Sequence, residues 1–188
     1  MKKSILFSLL IVLSLPIWLM AQNPVAFFEE HIDFALDSSS FCINGIYSFY
    51  NSSQEMVIQP ILFPFAVTTE SIDSIKVVDL NRQQLLSYKM MTNAIAFTIN
   101  ILPKDTLDIH IFYRQKASER NTYILTTTES WSRPLDYASY SLNAPSKMNI
   151  EAFSYQPDSI KVTGKHRLYK WRKHNFLPKH DFDIIIDK

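Results

Sequence analysis

Two glycines, Gly45 and Gly164, and one cysteine, Cys42, are all that the 188 residues hold of those types. Average usage puts glycine near 7%, roughly a dozen in a chain of this length, so the deficit is informative. Backbone cradles for phosphate or dinucleotide, whether G-x-G-x-x-G or G-x-x-x-x-G-K-[ST], need glycines for tight turns and close backbone approach. With both glycines isolated, P-loop and Rossmann chemistries are excluded. One cysteine makes neither an internal disulfide nor a thiolate zinc site, so a hydrophobic core must hold the framework. Cys42, inside Phe41-Cys42-Ile43, reads as a small buried apolar residue. The G-x-S-x-G elbow of serine hydrolases is also missing.

What is present begins with an address. Lys2 and Lys3 precede an apolar run over residues 5–15, then Pro16-Ile17-Trp18-Leu19-Met20-Ala21-Gln22. A short basic start, an apolar stretch of that length and a small residue before Gln22 predict a secretory signal cut after Ala21. A permanent anchor is the weaker reading, because residues 4–21 are at the short limit for a span and contain Pro16. No cysteine directly follows the run, which argues against a lipid anchor. The chain is therefore expected in the periplasm, at the cell surface or outside the cell, with no stable transmembrane segment after cleavage. Residues 22–160 carry 9 Lys/Arg against 15 Asp/Glu, whereas residues 161–188 carry 8 against 3. An exported protein seldom meets nucleic acid, so no nucleic-acid partner is expected, and the basic tail reads as a final hairpin, solvated or lying on the acidic body.

The rest is strand after strand. Phe28, Glu30, Ile32, Phe34 and Leu36 alternate with Glu29, His31, Asp33, Ala35 and Asp37, the period of two that marks a half-buried strand. The pattern predicts further strands over 41–50, 55–62, 72–80, 85–91, 94–101, 106–114, 121–128, 137–143, 149–155, 159–163, 167–172 and 181–187. The runs 94–101 and 106–114, joined by Leu102-Pro103-Lys104-Asp105, read as a hairpin. Many short strands between Asn, Asp, Ser and Pro predict an all-β chain, an antiparallel sandwich of immunoglobulin-like or jelly-roll-like type. Residues 1–21 are then the signal peptide and 22–188 one sandwich domain, with a subdivision near 129–134 as the alternative. An outer-membrane barrel is disfavoured, because Glu29, Lys76, Asp108 and Arg114 interrupt the segments that would face lipid. Asn44-Gly45 and Thr163-Gly164 are the two places where a positive φ is expected.

The run Tyr123-Ile124-Leu125-Thr126-Thr127-Thr128-Glu129-Ser130-Trp131-Ser132-Arg133-Pro134-Leu135, with Ala138-Ser139-Tyr140 and Asn175-Phe176-Leu177-Pro178-Lys179-His180-Asp181, carries a resemblance. It resembles a family of uncharacterised exported β-sandwich proteins of Gram-negative bacteria with Y-I-L-T-T-T-x-x-W-x-x-P-L-x-x-A-x-Y and N-F-x-P-x-x-D motifs. The resemblance covers chiefly the second half of the chain, implies an exported sandwich and brings no catalytic residues. Ser132 stands where such motifs often have glycine, so no special backbone conformation is expected there.

Candidate sites follow from residue chemistry. Trp131 and Trp171 with Tyr137, Tyr140 and Tyr169 are candidates for an exposed sugar-stacking platform, although a Trp-Pro segment also serves to plug a core. His31/Asp33 and Asp108/His110 sit two apart on polar strand faces, the spacing of a metal pair or of a base and its orienter, and also of ordinary surface pairs. His174, His180, Asp181 and Asp183 form the densest ligand-type group. His174, His180 and Asp183 are weak metal candidates, since Lys165, Arg167, Lys170, Arg172 and Lys173 would repel a divalent cation. Three D-[ST]-apolar triplets, at Ser74, Thr106 and Ser159, resemble acceptors of bacterial O-glycosylation or, equally, turns in which Asp caps the start of a strand. No coherent catalytic constellation or cofactor site is expected. The preferred expectation is a non-catalytic binding or assembly module of the cell envelope, with another envelope protein or a glycan as partner. A periplasmic hydrolase or metal-dependent enzyme and a carbohydrate-binding module are the alternatives.

Overall fold

The computed structural model describes residues 23–187, so the signal peptide expected over 1–21 lies outside the described residues. The strands are β1 (Val25–Leu36), β2 (Ser40–Asn51), β3 (Val57–Pro64), β4 (Ile72–Asp79), β5 (Gln84–Leu85), β6 (Lys89–Met90) and β7 (Ala94–Ile101). They continue as β8 (Thr106–Lys116), β9 (Arg120–Tyr123), β10 (Leu135–Pro145), β11 (Ile150–Phe153), β12 (Ser159–Thr163), β13 (His166–Phe176) and β14 (Phe182–Ile186). Short 3-10 helices occupy Thr69–Ser71 and Thr126–Trp131.

An eight-stranded sheet runs in the order β12-β13-β10-β1-β2-β8-β4-β5, and two three-stranded sheets run β11-β14-β9 and β3-β7-β6. This is the expected all-β sandwich. Its ladders are antiparallel except one, because β1 and β10 pair in parallel. That pairing puts chain from both sides of 129–134 into one sheet, and the stretch itself leads from β9 of a small sheet to β10 of the large one. Alternation supplies the core: Ile32 and Phe34 of β1, Ile43 and Tyr47 of β2 and Ile109, Ile111 and Tyr113 of β8 all point inward and are buried. Both small sheets cover this one face. Phe34 meets Phe182 of β14 at 5.1 Å between ring centres, and Tyr47 meets Phe63 of β3 at 5.4 Å.

Four features of the strands differ from the expectation. First, β1 carries a bulge, its register shifting between Phe27 and Glu29. Phe27 rather than Phe28 therefore enters the core, and the extra residue returns Glu30, Ile32 and Phe34 to the inner face. Second, β7 and β8 are no hairpin: β7 pairs with β3 and β6, and β8 with β2 and β4. Both strands alternate because both bury one face, but they belong to opposite layers and residues 102–105 cross between them. Third, 85–91 is divided, with β5 joining the large sheet and β6 a small one. Fourth, the strand expected over 121–128 stops at Tyr123. The Asp181 carboxylate accepts the N–H groups of Leu125 and Thr126, at 2.9 and 3.0 Å, and the Thr126 hydroxyl at 2.9 Å, drawing the chain into the 3-10 helix.

The glycine deficit is met in an unexpected way. Gly164 has the predicted positive φ of 61°, but Gly45 does not. Gly45 is needed for space: a Cβ there would lie 2.5 Å from Tyr47 Oη, 2.7 Å from Tyr47 Cε2 and 2.8 Å from Ile32 Cδ1. The left-handed positions elsewhere are filled by Gln83, Lys104, Ser132 and Asn175, with φ of 53°, 56°, 55° and 48°. Ser132 therefore adopts a special conformation despite lacking the glycine, and it ends the 3-10 helix. Cys42 is half-buried on the outer face of the large sheet, not in the core, because it shares the outward register of Asn44 and Ile46.

Candidate ligand cleft

β3 is the edge strand of one small sheet and β9 the edge strand of the other. Between them and the large sheet lies a cleft of about 450 Å³. Its floor is Glu30 of β1, Tyr47 and Phe49 of β2, and Ile109 and Ile111 of β8. Ile61 and Phe63 of β3 form one wall, and Tyr123, Thr128 and Trp131 the other. Trp131 is held by Phe27 and Phe49, at 5.9 and 5.4 Å between ring centres. The volume is that of ordinary small-molecule sites, which are mostly apolar with a few placed polar groups.

The placed groups here are Glu30, Tyr47 and Tyr123, with Tyr140 bonded to Glu30 but not lining the cleft. Glu30 is 2% exposed and accepts a short hydrogen bond from the Tyr140 hydroxyl on Oε1. The Tyr123 hydroxyl faces Oε2 at 3.4 Å, and the Tyr47 hydroxyl lies 2.9 Å from that of Tyr123. Burial pushes the Glu30 carboxyl from 4.5 up to about 7, and the hydrogen bonds from Tyr140 and Tyr123 pull the other way. Burial and then the Glu30 charge raise Tyr47, Tyr123 and Tyr140 well above the usual phenol range. Among the described residues no basic side chain forms an ion pair with Glu30. The sequence did carry one signal of this site, a carboxylate in the apolar register of β1. Nothing local links residues 30, 47, 123 and 140, which the sheets alone bring together.

The expected aromatic platform is not formed. Tyr140, Tyr169 and Trp171 are buried, at 3%, 3% and 0% exposure, because their strands turn them to the inner face. Trp171 donates its indole N–H to the Tyr155 carbonyl at 2.8 Å. Trp131 lines the cleft, whereas Tyr137 lies on the opposite face of the large sheet beside His31 and His174. The histidine pairs do not assemble as expected either. His31 bonds Glu29 at 2.8 Å and Ser139 at 2.7 Å, while Asp33 accepts from Ser141. His110 bonds Asn44, and Asp108 accepts from Ser48. His174 stands on β13, His180 stacks on Tyr155 at 4.2 Å, and Asp183 of β14 holds Arg120 and Thr122. These three do not converge, and among the described residues no group of three His, Cys, Asp or Glu is placed to hold a metal ion.

At the D-[ST]-apolar triplets each aspartate has a partner. Asp73 pairs with Arg114 at 2.7 Å, Asp105 accepts the Thr106 N–H at 2.8 Å and Asp158 accepts the Arg172 N–H at 2.6 Å. Ser159 is exposed at the head of β12, and Ser74 and Thr106 are half-buried. The basic tail forms the β12–β13 edge of the large sheet, with Lys161, Lys170 and Arg172 exposed. No described helix is long and apolar enough to cross a membrane.

No protein-family model matches this chain, and no curated protein matches it. Among solved structures it is similar to a "putative nutrient binding protein" of Legionella pneumophila, at 14% identity and TM-score 0.68, over 88% of this chain and 67% of that one. It is also similar to an M1 zinc metallopeptidase of Deinococcus radiodurans, at 9% identity and TM-score 0.53, over 87% of this chain and 43% of the peptidase. The chain thus spans less than half the length of the peptidase. At such identities the shared property is the sandwich fold.

Proposed function

We propose that this chain is an exported, non-catalytic binding module of the bacterial cell envelope that takes a small ligand between its sheets. The observation that carries the reading is the cleft of about 450 Å³ lined by a buried carboxylate, Glu30, and by two tyrosines, Tyr47 and Tyr123, whose hydroxyls are linked to it. Core polar groups cost free energy, and one that opens on a cavity of ligand size has a use there. The description of the Legionella protein as nutrient binding agrees with this reading.

The test is thermal stability of the purified protein against a panel of amines, amino acids, sugars and short peptides, run in parallel on Ile61→Trp, which fills the cleft from β3. A ligand of this site raises the melting temperature of the natural chain and changes Trp131 emission, and the filled variant responds to neither. A panel with no compound whose effect Ile61→Trp abolishes overturns the reading. Export is checked separately, by finding Gln22 as the N-terminal residue of protein from the cell envelope of the native host; protein retained in the cytoplasm with its leader intact rejects it.

A further inference from the structure

Glu30, Tyr47 and Tyr123 line the cleft and Tyr140 bonds Glu30 without lining it, and the three phenol hydrogens are committed in one direction. A phenol has a single hydrogen and an ionised carboxylate has none. With Glu30 ionised, Tyr140 and Tyr123 donate to its two oxygens. Tyr47 then donates to Tyr123, whose own hydrogen is spent. Glu30, Tyr47 and Tyr123 all line the cleft, so the polar surface that they offer to an occupant consists of lone pairs. An anion would be repelled there. A sugar hydroxyl that needs a donor as well as an acceptor would find no donor among these three groups. A group with several donors and a positive charge satisfies every exposed lone pair and supplies the counter-charge that Glu30 lacks among the described residues. Around this floor stand Phe49, Phe63 and Trp131, whose ring faces attract cations and whose carbon surface suits an apolar body.

We propose that the cleft binds an organic ammonium, a primary amine on an apolar body, with its charged head against Glu30, Tyr47 and Tyr123 and its body along Phe49, Phe63 and Trp131. This rests on the cleft being a ligand site, as proposed above. Binding then couples to protons. The titratable groups that face Glu30 are Tyr140 of β10, Tyr123 of β9 and Tyr47 of β2, with Tyr113 of β8 beside Tyr47. The tyrosines stay neutral through the physiological range, so Glu30 is the group among them that titrates there. Free Glu30 holds its proton below about 7, and an ammonium displaces it. Affinity for the amine therefore rises between pH 6 and pH 8.

Calorimetry with phenethylammonium and its neutral isostere 2-phenylethanol separates charge recognition from cavity filling. The natural chain is expected to bind the ammonium roughly tenfold tighter than the alcohol at pH 8, as a charge-assisted bond with a cation–π contact implies. The preference shrinks at pH 6. Glu30→Gln brings the two probes to about equal affinity while keeping the alcohol, and Tyr47→Phe weakens the ammonium alone. Circular dichroism confirms that each variant folds, and Tyr47→Phe decides the matter should Glu30→Gln not fold. Equal binding of the two probes by the natural chain, or a preference that survives Glu30→Gln, overturns the ammonium assignment and leaves the cleft standing. Failure of both probes, with some other panel compound abolished by Ile61→Trp, does the same. If Ile61→Trp abolishes nothing, the cleft and the ammonium fall together.

Discussion

Replacing Glu30 by glutamine should flatten the dependence of stability on pH, and the size follows from the burial of one carboxyl. In the unfolded chain Glu30 titrates near 4.5, and in the folded protein burial moves it to about 7. A raised carboxyl pKa means that the folded state holds the proton more tightly than the unfolded state. The contribution is therefore fully present below 4.5 and is lost as pH rises toward 7, after which the loss is constant. Each unit is worth about 1.36 kcal/mol, so the ionised side chain costs the folded protein about 3 kcal/mol at pH 8 relative to pH 4. Glutamine mimics the neutral acid: its carbonyl accepts from Tyr140, and its amide donates to Tyr123, whose hydrogen then turns toward Tyr47. Urea unfolding at pH 5, 6, 7 and 8 is the assay. The variant should gain on the natural chain from pH 5 to pH 7 and level off by pH 8, about 2 to 3 kcal/mol ahead. Parallel curves for the two proteins would refute the reasoning, since they would mean that Glu30 has the same proton affinity folded and unfolded.

Other perturbations address the frame. Gly45→Ala drives a Cβ into Tyr47 and Ile32 and should cost about 1 to 3 kcal/mol, much of it recovered in a Tyr47→Ala background; strict additivity in the double-mutant cycle would exclude the clash. Asn51→Ala leaves the carbonyls of Glu55, Ile101 and Leu102 without the amide that holds all three, at 2.7, 3.1 and 3.0 Å, and should cost about 3 kcal/mol in urea unfolding. A loss below about 1 kcal/mol would show that water replaces the amide at no penalty. Ser132→Gly should be neutral or stabilising by up to about 1 kcal/mol, whereas Ser132→Val should lose more than that, because φ is 55° there; a neutral valine would contradict a left-handed backbone. Asp181→Ala frees Leu125 and Thr126 and should shift Trp131 emission toward the red with about 1 to 2 kcal/mol lost. Unchanged emission would mean that the 3-10 helix does not depend on this carboxylate.

The alternation of apolar and polar residues was enough to place most strands, since each buries one face and the period of two records that directly. It could not name partners. The residues from Ala94 to Lys116 look like a hairpin and are two strands from opposite layers, because burial of one face is the same whether the neighbour is a ladder partner or a facing sheet. Nor does alternation register a bulge. Phe27-Phe28-Glu29-Glu30 admits two phases, and the shift that puts Phe27 rather than Phe28 on the inner face with Glu30 depends on pairing with β2. Trp131 and Trp171 look equivalent as residues, yet one lines a cleft and the other is sealed beneath Phe153 and Phe182. The histidines had the right spacing for a pair and found other partners, Ser139 and Asn44 across the sheet and Glu29 along the strand, the cross-strand ones set by register rather than by sequence distance.

The glycine deficit and the cleft are connected through Gly45. At three turns and once within β13 this chain tolerates left-handed backbone without glycine, at Gln83, Lys104, Ser132 and Asn175, so conformational freedom alone does not dictate where its two glycines stand. Gly45 sits in the middle of β2, where glycine weakens a strand, and nothing in its backbone requires it. Its missing Cβ is the space into which the Tyr47 ring folds, two residues along on the same face. That posture brings Tyr47 Oη to Tyr123, and through Tyr123 to Glu30. A Cβ at 45 would meet the Tyr47 ring and Ile32, so the ring could not keep the position that completes the relay. Gly45 thus shapes the floor of the cleft, and β2 carries a locally weakening residue where the Tyr47 ring needs the room to reach Tyr123.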